Sequence, residues 1–77
     1  MIEITVTMHG NLRRFLPEGQ ASTMLRVPEG ATLRQVIEIL RAPNDVWLVA
    51  VNGSATPVQA RVADGDAVDF YEQLEGG

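Results

Sequence analysis

Residues 32–41, TLRQVIEILR, carry the clearest local signal in the chain. Thr32 and Gln35 form a capping box, in which two side chains satisfy free backbone groups at the start of a helix. The apolar residues that follow recur at i, i+3, i+4 and i+7, which is the spacing of one helix face. We predict a helix over about Leu33–Arg41, ended by Ala42-Pro43 because a residue before proline avoids helical backbone angles. One helix with one apolar stripe must pack on a sheet.

Four stretches on either side of this helix have the patterns of strands: residues 2–8, 23–27, 46–51 and 67–74. The first alternates apolar and polar side chains, as does a strand with one buried face. The last also alternates, with Val68 and Phe70 on one face and Asp69 and Tyr71 on the other. Residues 46–51 are apolar throughout, which predicts burial on both faces or one face covered by a partner.

The connecting segments complete the predicted architecture. Residues 9–21 read as a loop with one helical turn, in which His9 caps the end of the first strand. Residues 57–58 and 61–62 are predicted to be short edge segments, and Asp64-Gly65-Asp66 a tight turn rather than a pair of catalytic carboxylates. The predicted fold class is therefore α+β, with one helix packed on a mixed sheet of four to five strands.

Size and composition restrict the possible functions. The 77 residues, with 45% apolar and 21% charged, suit one small globular domain with one core. The longest apolar run is six residues and the first residues lack a basic region, so we expect a cytoplasmic protein without membrane contact. The sequence has no cysteine, no lysine and one histidine, which excludes disulfides, zinc–thiolate sites and lysine Schiff bases. We expect no metal site and no catalytic side chain.

Charge is distributed unevenly along the chain. Residues 1–41 hold five arginines and four glutamates, a net charge of +1, whereas residues 42–77 hold one arginine and six acids, a net charge of −5. Phosphate backbones bind basic surfaces, so we exclude nucleic acid as a partner. The acidic final third favours docking into a basic groove of another protein, although a solvated surface explains each charge taken alone.

The last residues of the sequence, Gly76-Gly77, form the candidate reactive site. Two glycines carry no side chains, so they can thread a narrow channel in backbone conformations that other residues avoid. The terminal glycyl carbonyl is also the least hindered acyl centre that a protein can offer. We predict a single domain over residues 1–77 whose flexible tail, about residues 73–77, presents Gly77.

The order of these features resembles the ubiquitin-like sulfur carriers of the MoaD/ThiS type. The resemblance extends from the strand-strand-helix order through VAVNG at 49–53 and VADGDAV at 62–68 to Gly76-Gly77, nearly the whole chain. It implies a ubiquitin-like β-grasp fold. It also implies that a ubiquitin-activating-type adenylyltransferase, using ATP and Mg, converts the Gly77 carboxylate to an acyl-adenylate. A cysteine desulfurase or rhodanese-like enzyme would then supply sulfur for a thiocarboxylate, and the chain itself would bind no cofactor.

The segment at 12–16, LRRFL, resembles the molybdopterin synthase small subunit in particular. The implied acceptor is then the molybdopterin synthase large subunit, in molybdenum cofactor biosynthesis. Two departures from the family pattern are Glu75, where a small or neutral residue is usual, and MHGN at 8–11, in place of an aromatic-small pair. Carriers for thiamine or cysteine synthesis therefore stay open. So do a protein modifier joined through Gly77 to a target lysine and a noncovalent β-grasp interaction module.

A docking surface beside the tail is the second candidate site. A carrier must present its end to a partner while its folded body binds outside the partner's active site. Strand parity favours core packing for Phe70, with a partner contact as the alternative. The predicted partner-binding residues are Tyr71, Leu74, Phe70, Leu48, Ala50 and Glu75.

Overall fold

A computed structural model describes residues 1–42 and 46–72 of the chain. Its elements are β1 (Ile2–Met8), two short 3-10 helices (Gly10–Phe15 and Pro17–Gly19), β2 (Ser22–Val27), α1 (Leu33–Leu40), β3 (Val46–Val51), β4 (Ser54–Ala55) and β5 (Ala67–Glu72). The strands form one sheet in the order β2-β1-β5-β3-β4. β1 and β5 are parallel and the other neighbours antiparallel, so the predicted mixed sheet with one helix is confirmed.

The capping box at the start of α1 is confirmed. The backbone N–H of Gln35 donates to Thr32 Oγ1 at 3.2 Å, and the backbone N–H of Thr32 donates to Gln35 Oε1 at 2.8 Å. The helix ends at Leu40, one residue before the predicted end. Arg41 adopts a left-handed conformation with φ of 62°, and its N–H donates to the Glu38 carbonyl at 3.0 Å. The helix therefore ends through the left-handed conformation of Arg41 and not through the restriction that a proline places on the residue before it.

The core lies between α1 and one face of the sheet. β1 buries alternate residues as predicted, and the helix buries residues spaced at three and four positions. Phe70 is the largest fully buried side chain, with 0% exposure. The buried apolar residues that form this core are Ile4, Val6, Met8, Leu12, Leu16, Val27, Ala31, Leu33, Val36, Ile37, Val49, Val62, Val68 and Phe70. Within the described ranges, no helix is long and apolar enough to span a membrane.

Three local predictions differ from the structure. The segment at 9–21 forms two 3-10 helices rather than one turn, because burying Leu12 and Leu16 closes the end of the core. The edge strand is Ser54–Ala55 rather than 57–58, since the Asn52-Gly53 turn starts pairing immediately. Of the two alternatives for residues 46–51, burial on both faces is wrong, and one face covered by a partner stays a prediction. Val49 is buried but Leu48 is 39% exposed, because β3 has the core on only one side.

The turn at 64–66 joins three strands. Asp66 Oδ2 accepts the backbone N–H of Ala63 at 2.8 Å, and Asp66 Oδ1 accepts the side-chain N–H of Asn52 at 3.1 Å. Asn52 Oδ1 in turn accepts the backbone N–H of Ala67 at 3.0 Å. Asp64 Oδ1 accepts the backbone N–H of Glu3 at 2.8 Å. The predicted tight turn is confirmed, and its carboxylates hold the start of β5 between β1 and β3.

We expect Asp66→Ala to lower the free energy of unfolding by roughly 1–3 kcal/mol, because it removes two hydrogen bonds to a carboxylate that hold the turn. Urea denaturation followed by circular dichroism measures this loss. Glu29→Ala, at an exposed position in the loop after β2, is the matched control and should be nearly neutral. Equal stability of the two variants would contradict the proposed role of the turn.

Candidate functional site

The face of the sheet opposite α1 gathers several predicted contact residues where β5 ends. Leu48 of β3 pairs with Tyr71 of β5, and Ala50 pairs with Asp69. Their neighbours Val49 and Phe70 are buried on the helix side, so these four side chains lie on the outer face. Leu48 is the most exposed of the apolar residues here. Together with His9, which contacts Asp69 and Tyr71, they form a surface that we call the tail-side patch: His9, Leu48, Ala50, Asp69 and Tyr71.

His9 fixes the end of β5 from the neighbouring strand. Its backbone N–H donates to the Phe70 carbonyl at 3.0 Å, which continues the parallel pairing beyond β1. Its Nε2 lies 3.1 Å from Asp69 Oδ1. Its ring stacks on Tyr71 with 4.2 Å between centroids and 10° between planes. The sequence predicts a cap at the end of the first strand. It does not reveal this contact, because His9 and Tyr71 become neighbours only through the β1–β5 pairing.

Gly10 brings the next part of the backbone close to Glu72. Its φ is +63°, a conformation that favours glycine, and a Cβ there would collide with the Glu72 carboxylate. Glu72 is the last described residue before the tail. Two consecutive residues after β1, His9 and Gly10, therefore lie against the last four residues of β5, Asp69–Glu72. The sequence signal for this contact is the MHGN segment, which departs from the family pattern.

The other predicted site residues are placed as follows. Phe70 is fully buried, which confirms the core packing that strand parity predicts, and it has no exposed surface through which to contact a partner. Leu74, Glu75, Gly76 and Gly77 lie outside the described residues. The structure thus unites Tyr71, Leu48 and Ala50 on one surface and separates Phe70 from them.

The side chains of the tail-side patch suit binding to another protein rather than catalysis. It combines apolar side chains of Leu48, Ala50 and Tyr71 with the carboxylate of Asp69, next to that of Glu72. His9 lies beside Asp69, but Tyr71 covers one face of its imidazole ring and the sequence contains no cysteine for such a pair to activate. Among residues 1–42 and 46–72, no three His, Asp or Glu side chains are grouped to hold a metal ion. The patch therefore fits an apolar partner surface bordered by basic side chains.

We expect His9→Ala to shift the NMR signals of the Tyr71 ring protons by removing the stacked imidazole. The accompanying loss in free energy of unfolding should be modest, roughly 0.5–1 kcal/mol, since the pair is only partly buried. His9→Phe keeps an aromatic ring and should restore most of this stability without the hydrogen bond to Asp69. Unchanged Tyr71 ring shifts in His9→Ala would show that the stack does not form in solution.

Comparisons with known proteins agree with this fold. The family model described as Mut7-C ubiquitin matches residues 1–76. The structure of a putative molybdopterin converting factor, subunit 1, from Pyrococcus furiosus has a TM-score of 0.78 at 21% identity, covering 96% of this chain and 100% of that one. Small archaeal modifier protein 1 from Haloferax volcanii has a TM-score of 0.78 at 14% identity, with the same coverage. Urm1 from Trypanosoma brucei has a TM-score of 0.70 at 22% identity, covering 97% of this chain and 95% of that one.

Among curated protein sequences, none matches the chain. At identities below a quarter, the structural likenesses establish the fold rather than an activity. The ubiquitin-like β-grasp expected from the sequence is therefore confirmed.

Proposed function

The chain belongs to the Mut7-C ubiquitin family, and from this premise we propose that it is a ubiquitin-like sulfur carrier whose working group is the Gly77 carboxylate. The observation that carries the proposal is the position of the tail-side patch at the end of β5, immediately before the segment that leads to Gly76-Gly77. Five residues follow Glu72 in the sequence, and a fully extended chain of that length spans at most about 17 Å. A partner bound to the patch would have the Gly77 carboxylate within that reach.

The proposed chemistry takes place at Gly77 in partner enzymes. On an adenylyltransferase, a carboxylate oxygen of Gly77 bonds to the α-phosphorus of ATP and pyrophosphate leaves, with Mg²⁺ neutralising the phosphates. The terminal sulfur of a donor's persulfide then bonds to the acyl carbon, and AMP leaves. A second thiol of the donor cleaves the resulting acyl disulfide, which leaves a thiocarboxylate on Gly77 and a disulfide in the donor. A glycyl carbonyl favours both displacements because no side chain blocks the acyl carbon.

The tail-side patch is the proposed binding surface for the partners. The adenylyltransferase, the sulfur donor and the acceptor all need the same tail, so they would bind in turn. Leu48 and Tyr71 supply an exposed apolar centre, while Asp69 and Glu72 select basic side chains around it. The predicted contacts Leu74 and Glu75 would extend this surface along the tail.

The proposed acceptor is the molybdopterin synthase large subunit. Support comes from the LRRFL segment and from the fold shared with the Pyrococcus furiosus protein described as a putative molybdopterin converting factor subunit. Enzymes of thiamine or cysteine synthesis are the alternative acceptors. The adenylation step uses ATP and the sulfur transfer uses a reduced thiol, so we place the chain in the cytoplasm.

A protein modifier is the second candidate function, favoured by the fold shared with the Haloferax volcanii modifier protein. In that case the activated Gly77 acyl group would form an amide with a lysine of a target. The chain contains no lysine, so it could not form side-chain-linked chains with itself. A noncovalent interaction module, in which Gly77 does not react, is the third possibility.

Intact-mass analysis of the protein purified from its native host tests these functions. The carrier function predicts a chain in which one oxygen of the Gly77 carboxylate is replaced by sulfur. The modifier predicts a larger adduct with a target protein joined through an amide. A chain that stays unmodified with its host's adenylyltransferase, ATP and a sulfur donor would contradict both covalent functions.

A further inference from the structure

The two edges of the sheet differ in their capacity to accept another strand. β4 forms one edge with only two residues, and β3 beside it has a register shift between Val46 and Leu48. Short edge strands and irregular pairing both discourage strand addition. β2 forms the opposite edge with six residues in continuous register with β1, and it contains no proline. Of the two edges in the described part of the sheet, β2 has neither of these protective features, although it carries one charged side chain, Arg26.

The backbone of β2 presents a row of hydrogen-bonding groups to solvent. The N–H of Met8 donates to the Ala21 carbonyl at 2.8 Å, which fixes the alternation of the β1–β2 ladder. Thr23, Leu25 and Val27 therefore bond to β1, whereas alternate residues direct their backbone groups away from it: Ser22, Met24 and Arg26. In the part of the chain that the structure describes, no strand lies beyond β2. The Met24 side chain on this edge is 64% exposed.

A groove adjoins the end of β2 on the helix side. It has a volume of about 460 Å³ and lies between the loop at 28–31 and one flank of α1. Ile39 on this flank is 47% exposed and gives the groove an apolar side chain. The charged residues of the groove are Glu29 and Glu38, both acidic. The groove therefore suits a bound segment that places an aliphatic side chain against Ile39 and basic side chains beside Glu29 and Glu38.

We propose that the β2 edge and this groove bind an extended basic and aliphatic peptide segment of a partner protein, which adds a sixth strand to the sheet. Backbone groups of Ser22, Met24 and Arg26 would pair with the segment whatever its sequence. Ile39 would contact one of its aliphatic side chains, and Glu29 and Glu38 its basic ones. β1 separates β2 from β5, so this site would be distinct from the tail-side patch and its occupancy independent of Gly77 chemistry.

The probe is a synthetic peptide, Lys-Arg-Val-Thr-Ile-Thr-Val-Arg-Lys, whose basic ends serve either strand direction. Amide hydrogen exchange measured by NMR should slow at least roughly tenfold at Ser22, Met24 and Arg26 when the peptide is saturating. Thr23 and Leu25 should change little, because β1 already protects their amides. A peptide with glutamate at the four basic positions should bind at least roughly tenfold more weakly at low salt.

Variants separate the edge from the groove. Met24→Pro removes a backbone N–H that points away from β1 and does not bond to it. This variant should weaken peptide binding roughly tenfold. Glu29→Gln and Glu38→Gln should each weaken it about two- to fivefold, with native folding retained. Glu18→Gln, at an exposed position outside the groove, is the charge-matched control and should bind normally.

Several results would overturn this proposal. These are equal binding of the acidic peptide, slowed exchange elsewhere than at the three outward amides, and no slowing at millimolar peptide. Alternating protection that appears when the protein alone is concentrated would assign the edge to a second copy of the chain instead. None of these results bears on the thiocarboxylate, so the two proposals can fail separately.

Discussion

Deletion of Gly77 should abolish thiocarboxylate formation while leaving the thermal stability of the domain unchanged. The acyl centre would then move to Gly76, one residue closer to the folded body, and would no longer reach the adenylyltransferase's catalytic groups. Because a misplacement of about 1 Å can cost a hundredfold in rate, we expect at least roughly a hundredfold loss of activation. The measurement is intact-mass analysis after incubation with the host's adenylyltransferase, ATP and sulfur donor.

Leu48→Asp provides the matched control for this deletion. It keeps the tail but places a carboxylate in the apolar centre of the tail-side patch. The KM of the adenylyltransferase for this variant should rise several-fold with kcat nearly unchanged, because docking is weakened and the reacting end is intact. Full activity of the Gly77 deletion would refute the carrier function. Normal kinetics of Leu48→Asp would instead refute only the proposed docking surface.

Phe70→Ala should give the largest loss of stability of any single substitution proposed here. Phe70 is fully buried between α1 and the middle of the sheet, and removing a buried phenylalanine costs about 3–5 kcal/mol. A domain of this size has a total free energy of unfolding of about 4–12 kcal/mol. The variant should therefore lose a substantial part of its free energy of unfolding and unfold at much lower urea, as followed by circular dichroism.

The neighbouring residue gives a direct comparison for Phe70. Tyr71→Ala removes an aromatic side chain of similar size from the outer face of the same strand, where it is only partly buried. Its cost should be well below that of Phe70→Ala, and Phe70→Leu should cost under about 1.5 kcal/mol by filling most of the volume. Equal losses for the two alanine variants would contradict the assignment of the strand's faces.

Predictions that depend on residues close together in the sequence were more accurate than those that depend on which distant segments pair. The capping box at Thr32 and the turn at 64–66 were predictable because each depends on residues within a few positions. Alternation was sufficient to orient β1 and β5, including Phe70 toward the core. The edge strand was misplaced, and burial on both faces, one of the two alternatives for β3, was wrong, since both depend on which strands become neighbours.

The tail-side patch could be predicted only in part for the same reason. Tyr71, Leu48 and Ala50 were predicted as partner contacts from their places on adjacent predicted strands; the structure places them on one surface, and their contact with a partner stays a prediction. The contribution of His9 was not, because its contacts with Asp69 and Tyr71 join the two ends of the chain. The open edge of β2 likewise becomes apparent only from the strand order.

By itself, the sequence determined that this chain forms one helix, several strands and tight turns, and that it contains no cysteine, no lysine and a single histidine. These properties are local or compositional, so they can be read without knowing which segments meet. The tertiary structure alone decided the strand order, the exposed edge and the contact between His9 and the end of β5. Those features depend on which segments pair, above all β1 with β5, where His9 and Asp69 are 60 residues apart, and local preferences do not specify such pairings.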